Sequence, residues 1–122
     1  PAFIDALRLV RLPYHLSALT QAAALAALAH ADVMLATVDD IVQQRDRMGA
    51  TLSALGYEPF ESWTNFILFG GVADPQATFR ALFDRGVLVR DVGIPGTLRV
   101  SAGTEEETTE FLEQLASVRS QA

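Results

Sequence analysis

The chain has 122 residues, half of them hydrophobic, and a formal net charge of −6 at pH 7. This length and composition indicate one globular domain with a single core, while the acidic balance and scattered arginines argue against a nucleic-acid partner. Cysteine is absent, which excludes disulfides and thiol chemistry and fits the cytoplasmic location that we expect. The longest apolar stretch, residues 22–29, is far shorter than the roughly 20 residues that span a bilayer, so we expect no membrane partner.

Two helices are predicted before residue 30. The first covers Ala2–Val10 and ends before Pro13, because proline disfavours helical geometry at the residue that precedes it. An extended connector, Pro13–Leu16, follows. Ser17 can then cap a second helix over the alanine-rich run Ala18–Ala29, which has the highest helix propensity in the sequence.

A third, longer helix is predicted to run from Asp32, as its N-cap, to about Leu55. Gly56 is expected to end it, since glycine readily adopts the left-handed conformation that terminates helices. Apolar residues recur along this helix at steps of three and four and define one stripe: Met34, Val38, Ile41, Met48, Leu52 and Leu55.

From residue 57 the pattern changes to β-strands, which are predicted at Tyr57–Glu61 and Asn65–Phe69. The second run is apolar on both faces, as is typical of a buried central strand. Asp74 and Pro75 mark the start of another helix, which ends near Arg85. Its buried stripe is predicted to consist of Phe79, Leu82 and Phe83.

Two further β-type runs, Val87–Val89 and Leu98–Ser101, are joined by a loop rich in glycine and proline. A last helix is predicted from Thr104, which forms a capping box with the glutamate three residues later, to about Val118. The fold class is therefore α/β, in a two-layer α+β arrangement. We expect a small mixed or mainly antiparallel sheet with helices covering one face.

Three residues carry polar or charged side chains in otherwise apolar predicted strands. These are the candidate functional residues Asn65, Arg90 and Arg99. A buried arginine without an anion is costly. Asp91 is the available partner of Arg90, whereas no acid lies close to Arg99 in sequence. Two guanidinium groups on adjacent strands would suit a doubly anionic substrate. The two histidines cannot build a metal site alone, and no phosphate-binding loop motif is present, so no metal site is expected.

Four groups of residues occur in order along the chain: Arg11–Ser17 with Thr20–Ala23, Ser62–Phe66, Gly86–Asp91, and Leu98–Thr104. Together they resemble the C-terminal part of histidinol-phosphate aminotransferases, particularly the actinobacterial kind, over essentially the whole chain. That family belongs to the fold type I enzymes that use pyridoxal phosphate, in which a small C-terminal domain closes over the substrate. The resemblance implies that residues 1–31 are lead-in helices from the large domain and that residues 32–122 form the small domain.

The resemblance also implies roles for the candidate residues. Arg99 matches the family arginine that pairs with the substrate α-carboxylate, and Arg90 matches one that helps to hold the phosphate of histidinol phosphate. Asn65 matches a position to which we assign a positioning role. The family's Schiff-base lysine would lie upstream of Pro1. The resemblance therefore implies pyridoxal phosphate in the full-length enzyme, but no catalytic residue and no bound cofactor in this fragment.

The implied reaction of the parent enzyme is amino transfer between histidinol phosphate and 2-oxoglutarate, which yields imidazole acetol phosphate and glutamate in histidine biosynthesis. We expect a homodimeric parent that includes the missing large domain, and a fragment that is inactive alone. Three alternatives stay open. Trp63-Thr64 departs from the family pattern and leaves room for an aromatic amino acid aminotransferase. The chain could instead be a stand-alone phosphate- and carboxylate-binding module, or a structural or dimerisation domain without a ligand.

Overall fold

The computed structural model describes residues 2–10 and 16–120. The chain divides into two compact units, Pro1–Leu35 and Ala36–Ala122. The first unit is helical, and the second contains a small sheet with helices against it.

The first unit contains the two helices expected there, α1 (Ala2–Val10) and α2 (Ala18–Leu28). Ser17 caps α2 as predicted, because its Oγ accepts a hydrogen bond of 3.1 Å from the Thr20 amide. Residues 13–15 of the predicted connector, Tyr14 among them, lie outside the described residues.

Helices α1 and α2 bury none of their residues within this chain. Several of their large apolar side chains are almost fully exposed: Leu9 is 87% exposed, Leu19 81% and Phe3 75%. Over the described ranges, no single helix has the length and apolar character needed to cross a membrane, although one bent pair of consecutive helices meets that criterion when taken together.

Helix α3 spans Ala31–Ala54 and begins one residue before Asp32. The expectation that Asp32 is the N-cap is wrong, because the carbonyl of His30 already accepts the Met34 amide at 3.3 Å. The end of the helix is as predicted: Gly56 has φ 80°, and the amide of Tyr57 reaches back to the carbonyl of Leu52 at 3.0 Å.

The apolar stripe of α3 is buried only towards the C-terminal end of the helix. Met48 and Leu52 are buried, whereas Met34 is 57% exposed and Val38 is 49% exposed. Only the later part of the stripe therefore contributes to the core of the second unit.

In the described part of the second unit, the sheet has three strands in the order β1 (Glu58–Pro59), β2 (Phe66–Gly70) and β3 (Leu98–Ser101). Both pairings are antiparallel, which confirms the predicted sheet type. The first strand is shorter than predicted. The Ser62 hydroxyl donates to the carbonyl of Phe66, so the chain has already turned into the β1–β2 connection there.

One face of the sheet packs against α3, α4 (Pro75–Phe83) and α5 (Glu105–Ser120). Side chains alternate across a strand, and the alternate residues on this face are buried. The core of the second unit comprises Met48, Leu52, Ile67, Phe69, Val72, Leu82, Val89, Leu98, Val100, Phe111, Leu112 and Leu115.

The predicted caps of α4 and α5 are confirmed. The Asp74 carboxylate accepts the Ala77 amide at 2.9 Å, and Thr104 and Glu107 each bond the other's amide, at 3.2 and 2.8 Å. The predicted stripe of α4 is only partly right, because Phe83 is 48% exposed.

The predicted strand at Val87–Val89 is wrong. The amide of Val87, the first in this segment, donates instead to the carbonyl of Leu82 at the end of α4, at 3.0 Å. A turn follows directly after Arg90, where the Asp91 carboxylate accepts the Gly93 amide at 2.8 Å. In the described segment 86–91, the pairing with β3 is limited to Arg90, which forms an isolated bridge to Arg99.

Candidate anion-binding site

The isolated bridge joins the two arginines that the sequence singles out. The amide of Arg90 donates to the carbonyl of Arg99, and the amide of Arg99 donates to the carbonyl of Arg90, each at 2.8 Å. Directly opposed residues in an antiparallel pair project from the same face. The structure thus brings Arg90 and Arg99 together, although only Arg99 lies on a regular strand.

That face is the one opposite the core of the second unit. On β3 the core face carries Leu98 and Val100, so Arg99 projects the other way, together with Ser101. On β2 the corresponding residues are Phe66 and Leu68, which are half-buried. Arg99 is half-buried as well, whereas Arg90 is exposed.

An aromatic ring lies against Arg99. The guanidinium carbon Cζ is 4.7 Å from the centroid of the Phe66 ring, within the range of a cation–π contact. The register explains the contact: Leu68 is opposite Arg99 and Phe66 is opposite Ser101, so Phe66 is the diagonal neighbour of Arg99.

Neither arginine is paired with an acid anywhere in residues 2–10 and 16–120. Asp91, the expected partner of Arg90, instead accepts the Gly93 amide, and adjacent residues of an extended segment point to opposite faces. Arg45 provides a contrast within the same chain, because its Nη2 and Nε lie 2.7 and 2.9 Å from an Asp46 oxygen. The positive charges of Arg90 and Arg99 therefore remain available to an external anion.

Asn65 lies immediately before β2, and its carbonyl accepts the Ala102 amide at 2.8 Å. It is thus held beside the end of β3, the strand that carries Arg99. Its side chain is exposed. The positioning role expected for Asn65 stays a prediction.

A shallow cavity of about 460 Å³ opens beside Arg90. Arg80 of α4 also lines this cavity, but α4 packs on the core face of the sheet, so Arg80 lies on the other side of the sheet from the face that carries Arg99. The cavity is lined by Gln76, Phe79, Arg80, Val89, Arg90 and Asp91.

The described residues contain no group of three or more His, Cys, Asp or Glu side chains that could hold a metal ion. The 122 residues also contain no lysine, the residue whose amine forms a Schiff base with pyridoxal phosphate. The chain therefore does not supply the covalent anchor for that cofactor. What the arrangement can do chemically is bind and orient anions.

Comparison with known proteins gives a consistent result. Residues 1–115 match the family described as aminotransferase class I and II. The chain is 57% identical over 118 residues to histidinol-phosphate aminotransferase of Paenarthrobacter aurescens (strain TC1), and 54% identical over 119 residues to that of Streptomyces avermitilis. These matches cover 97% and 98% of the chain but only 32% of each relative.

A solved structure shows the same fold. The crystal structure of histidinol-phosphate aminotransferase from Sinorhizobium meliloti, in complex with pyridoxal-5'-phosphate, matches with a TM-score of 0.78 and 27% identity. The match covers 99% of this chain and 35% of that one. The chain thus spans about a third of the proteins that it resembles.

Proposed function

The chain belongs to the class I and II aminotransferase family, and we propose that it is the small C-terminal domain of a histidinol-phosphate aminotransferase, the part that closes over the substrate. The relatives that share more than half of its residues carry that name. The observation that carries the proposal is a pair of arginines, Arg90 and Arg99, that have no acidic partner among the described residues and whose side chains project from the same face of the sheet.

Each arginine has its own anion in this proposal. Arg99 binds the α-carboxylate of the amino acid or oxo acid, for which the planar guanidinium offers two parallel N–H donors. Arg90 binds the phosphate of histidinol phosphate. These contacts orient the substrates and balance their charge, and they transfer no proton. Asn65, beside the end of β3, helps to position the substrate.

The rest of the enzyme supplies what the chain lacks. Pyridoxal phosphate, when bound there, acts as the electron sink for amino transfer, and the anchoring lysine comes from outside these 122 residues. The exposed apolar side chains of α1 and α2, such as Leu9 and Leu19, support a large partner domain, because apolar surface of this kind is normally covered. We place the whole enzyme in the cytoplasm as a homodimer.

The test is an assay of the full-length enzyme with three amino donors: histidinol phosphate, phenylalanine and tyrosine, each with 2-oxoglutarate. We expect kcat/KM for histidinol phosphate to exceed that for either aromatic amino acid by about tenfold or more, the equivalent of one lost charged contact. A preference for phenylalanine or tyrosine would instead identify an aromatic amino acid aminotransferase.

The isolated chain provides the second arm of the test. It is expected to show no transamination, because it has no lysine, and to bind histidinol phosphate only weakly in calorimetry, because it presents one side of the site. A dissociation constant below about 1 μM would favour the stand-alone binding module over the proposed function.

A further inference from the structure

We propose that Phe66 is a positioning residue for Arg99: its ring holds the guanidinium in place while leaving the N–H donors free for the substrate carboxylate. This inference rests on the proposed function of Arg99 and adds a residue to it. Phe66 itself does not touch the reacting atoms in this proposal; it acts through Arg99.

The sheet register fixes the two side chains relative to each other. Leu68 stands opposite Arg99 and Phe66 opposite Ser101, so the Phe66 ring and the guanidinium share one face as diagonal neighbours. The main chain of Arg99 is also fixed on its other side by the two 2.8 Å hydrogen bonds with Arg90. The main chain of Arg99 is thus held on both edges. The Phe66 ring supports the far end of the Arg99 side chain, with Cζ 4.7 Å from the ring centroid.

The kind of support matters chemically. A flexible arginine loses conformational entropy when it binds, and holding it beforehand reduces that cost. A carboxylate could hold it, as Asp46 holds Arg45, but the carboxylate would occupy the N–H donors and cancel the charge. The face of a ring attracts the cation without accepting its N–H groups, which lie in the guanidinium plane.

Two variants of the full-length enzyme test the role. Phe66→Leu keeps an apolar side chain but removes the ring, and we expect KM for glutamate and 2-oxoglutarate to rise by about five- to twentyfold, with kcat changed by less than about twofold. Phe66→Tyr keeps the ring and should restore KM to near the wild-type value. Phe83→Leu is the matched control, because Phe83 also lies under an arginine, with the Cζ of Arg80 5.9 Å from its centroid; it should leave both KM values unchanged.

Arg99→Ala separates failure of this inference from failure of the proposed function. If Arg99→Ala raises KM for glutamate and Phe66→Leu does not, Phe66 has no positioning role and the function of Arg99 stands. If Arg99→Ala leaves KM unchanged, the function proposed for Arg99 fails, and the role of Phe66 fails with it.

A spectroscopic measurement on the wild-type enzyme does not depend on how the variants fold. Protons above an aromatic ring resonate upfield, so the side-chain protons of Arg99 next to the guanidinium should be shifted upfield from ordinary arginine values. Their signals are assigned in the wild-type enzyme by through-bond correlation with the Arg99 main-chain amide. Ordinary chemical shifts for these protons in the wild-type enzyme would overturn the proposal.

Discussion

Arg90 and Arg99 exchange two main-chain hydrogen bonds, each 2.8 Å long, and their cationic side chains therefore project side by side from the same face of the sheet. Like charges directly opposite in a sheet repel, and no acid in residues 2–10 or 16–120 offsets them. A bound anion would relieve this repulsion. The site therefore favours an anionic ligand through its own unbalanced charge.

The first prediction separates the two arginines by substrate. Histidinol phosphate carries a phosphate ester and no carboxylate, whereas glutamate carries carboxylates and no phosphate, so the full-length enzyme can be assayed with each anion in turn. Arg90→Ala should raise KM for histidinol phosphate by about 10- to 100-fold, the loss expected for a charged hydrogen bond, with a smaller effect on glutamate. Arg99→Ala should raise KM for glutamate by a similar factor.

The control for that experiment is Arg119→Ala. Arg119 also rests on an aromatic ring, with its Cζ 5.5 Å from the centroid of Tyr57, but it lies near the end of α5. Both KM values should stay at the wild-type level in this variant. Equal effects of Arg90→Ala on histidinol phosphate and on glutamate would contradict a separate phosphate role.

The second prediction concerns the start of α5. Thr104→Ala removes the hydroxyl that accepts the Glu107 amide and should lower the free energy of unfolding by about 1 kcal/mol. Gly103→Ala should weaken the same capping box, because the added Cβ would come too close to the Glu107 carboxylate. Urea unfolding of the two single variants and of the double variant measures the changes in the free energy of unfolding. If the change in the double variant equals the sum of the changes in the single variants, the two residues act independently and not through one capping box.

The third prediction compares two leucines of the second unit. Leu115 is fully buried among the core residues, whereas Leu88 is 74% exposed. Leu115→Ala should lower the free energy of unfolding by about 2–5 kcal/mol, since it leaves a cavity. Leu88→Ala should change it by less than about 0.5 kcal/mol. Similar losses for both variants would be inconsistent with the burial described.

The fourth prediction concerns alkaline pH. Burial raises the pKa of Tyr57 above its ordinary value of 10.0, and the nearby Arg119 charge opposes that shift. Because the hydroxyl deprotonates more readily in the unfolded chain, its contribution to stability is present below pH 10 and is lost as the pH rises through the folded-state pKa. Tyr57→Phe should therefore lose less stability than the wild type between about pH 9 and pH 11, measured by urea unfolding. An identical alkaline decline in the two proteins would refute the assignment.

The local features of the fold could be predicted from sequence because they depend on residues close together in the chain. Asp74 caps α4, and Thr104 and Glu107 form their capping box, since each cap involves only neighbouring amides. The strand predicted at Val87–Val89 failed for a reason of the same kind. The end of α4 competes for the Val87 amide, and the alternation of apolar residues does not reveal that competition.

The candidate site depends on contacts between residues that lie far apart in the sequence, and sequence patterns do not reveal such contacts. The sequence predicts an anion site at Arg90 and Arg99, which stays a prediction, and the structure brings the main chains of these two residues together. Asp91 was expected to pair with Arg90 because it is adjacent, but its carboxylate turns to the Gly93 amide. The ring beneath Arg99 comes from another strand, and only the β2–β3 register places it there.

The Arg90–Arg99 bridge also closes the base of the loop over residues 91–97, which leads into β3. Because both anchoring hydrogen bonds lie at its base, changes in the outer part of the loop need not move the main chain that carries either guanidinium. Exposed loop tips of small residues accept insertions most readily, and Gly93 and Pro95 are exposed at this one. The loop is accordingly the place to graft a fluorescent reporter or an affinity epitope beside the anion site while leaving the spacing of its two charges intact.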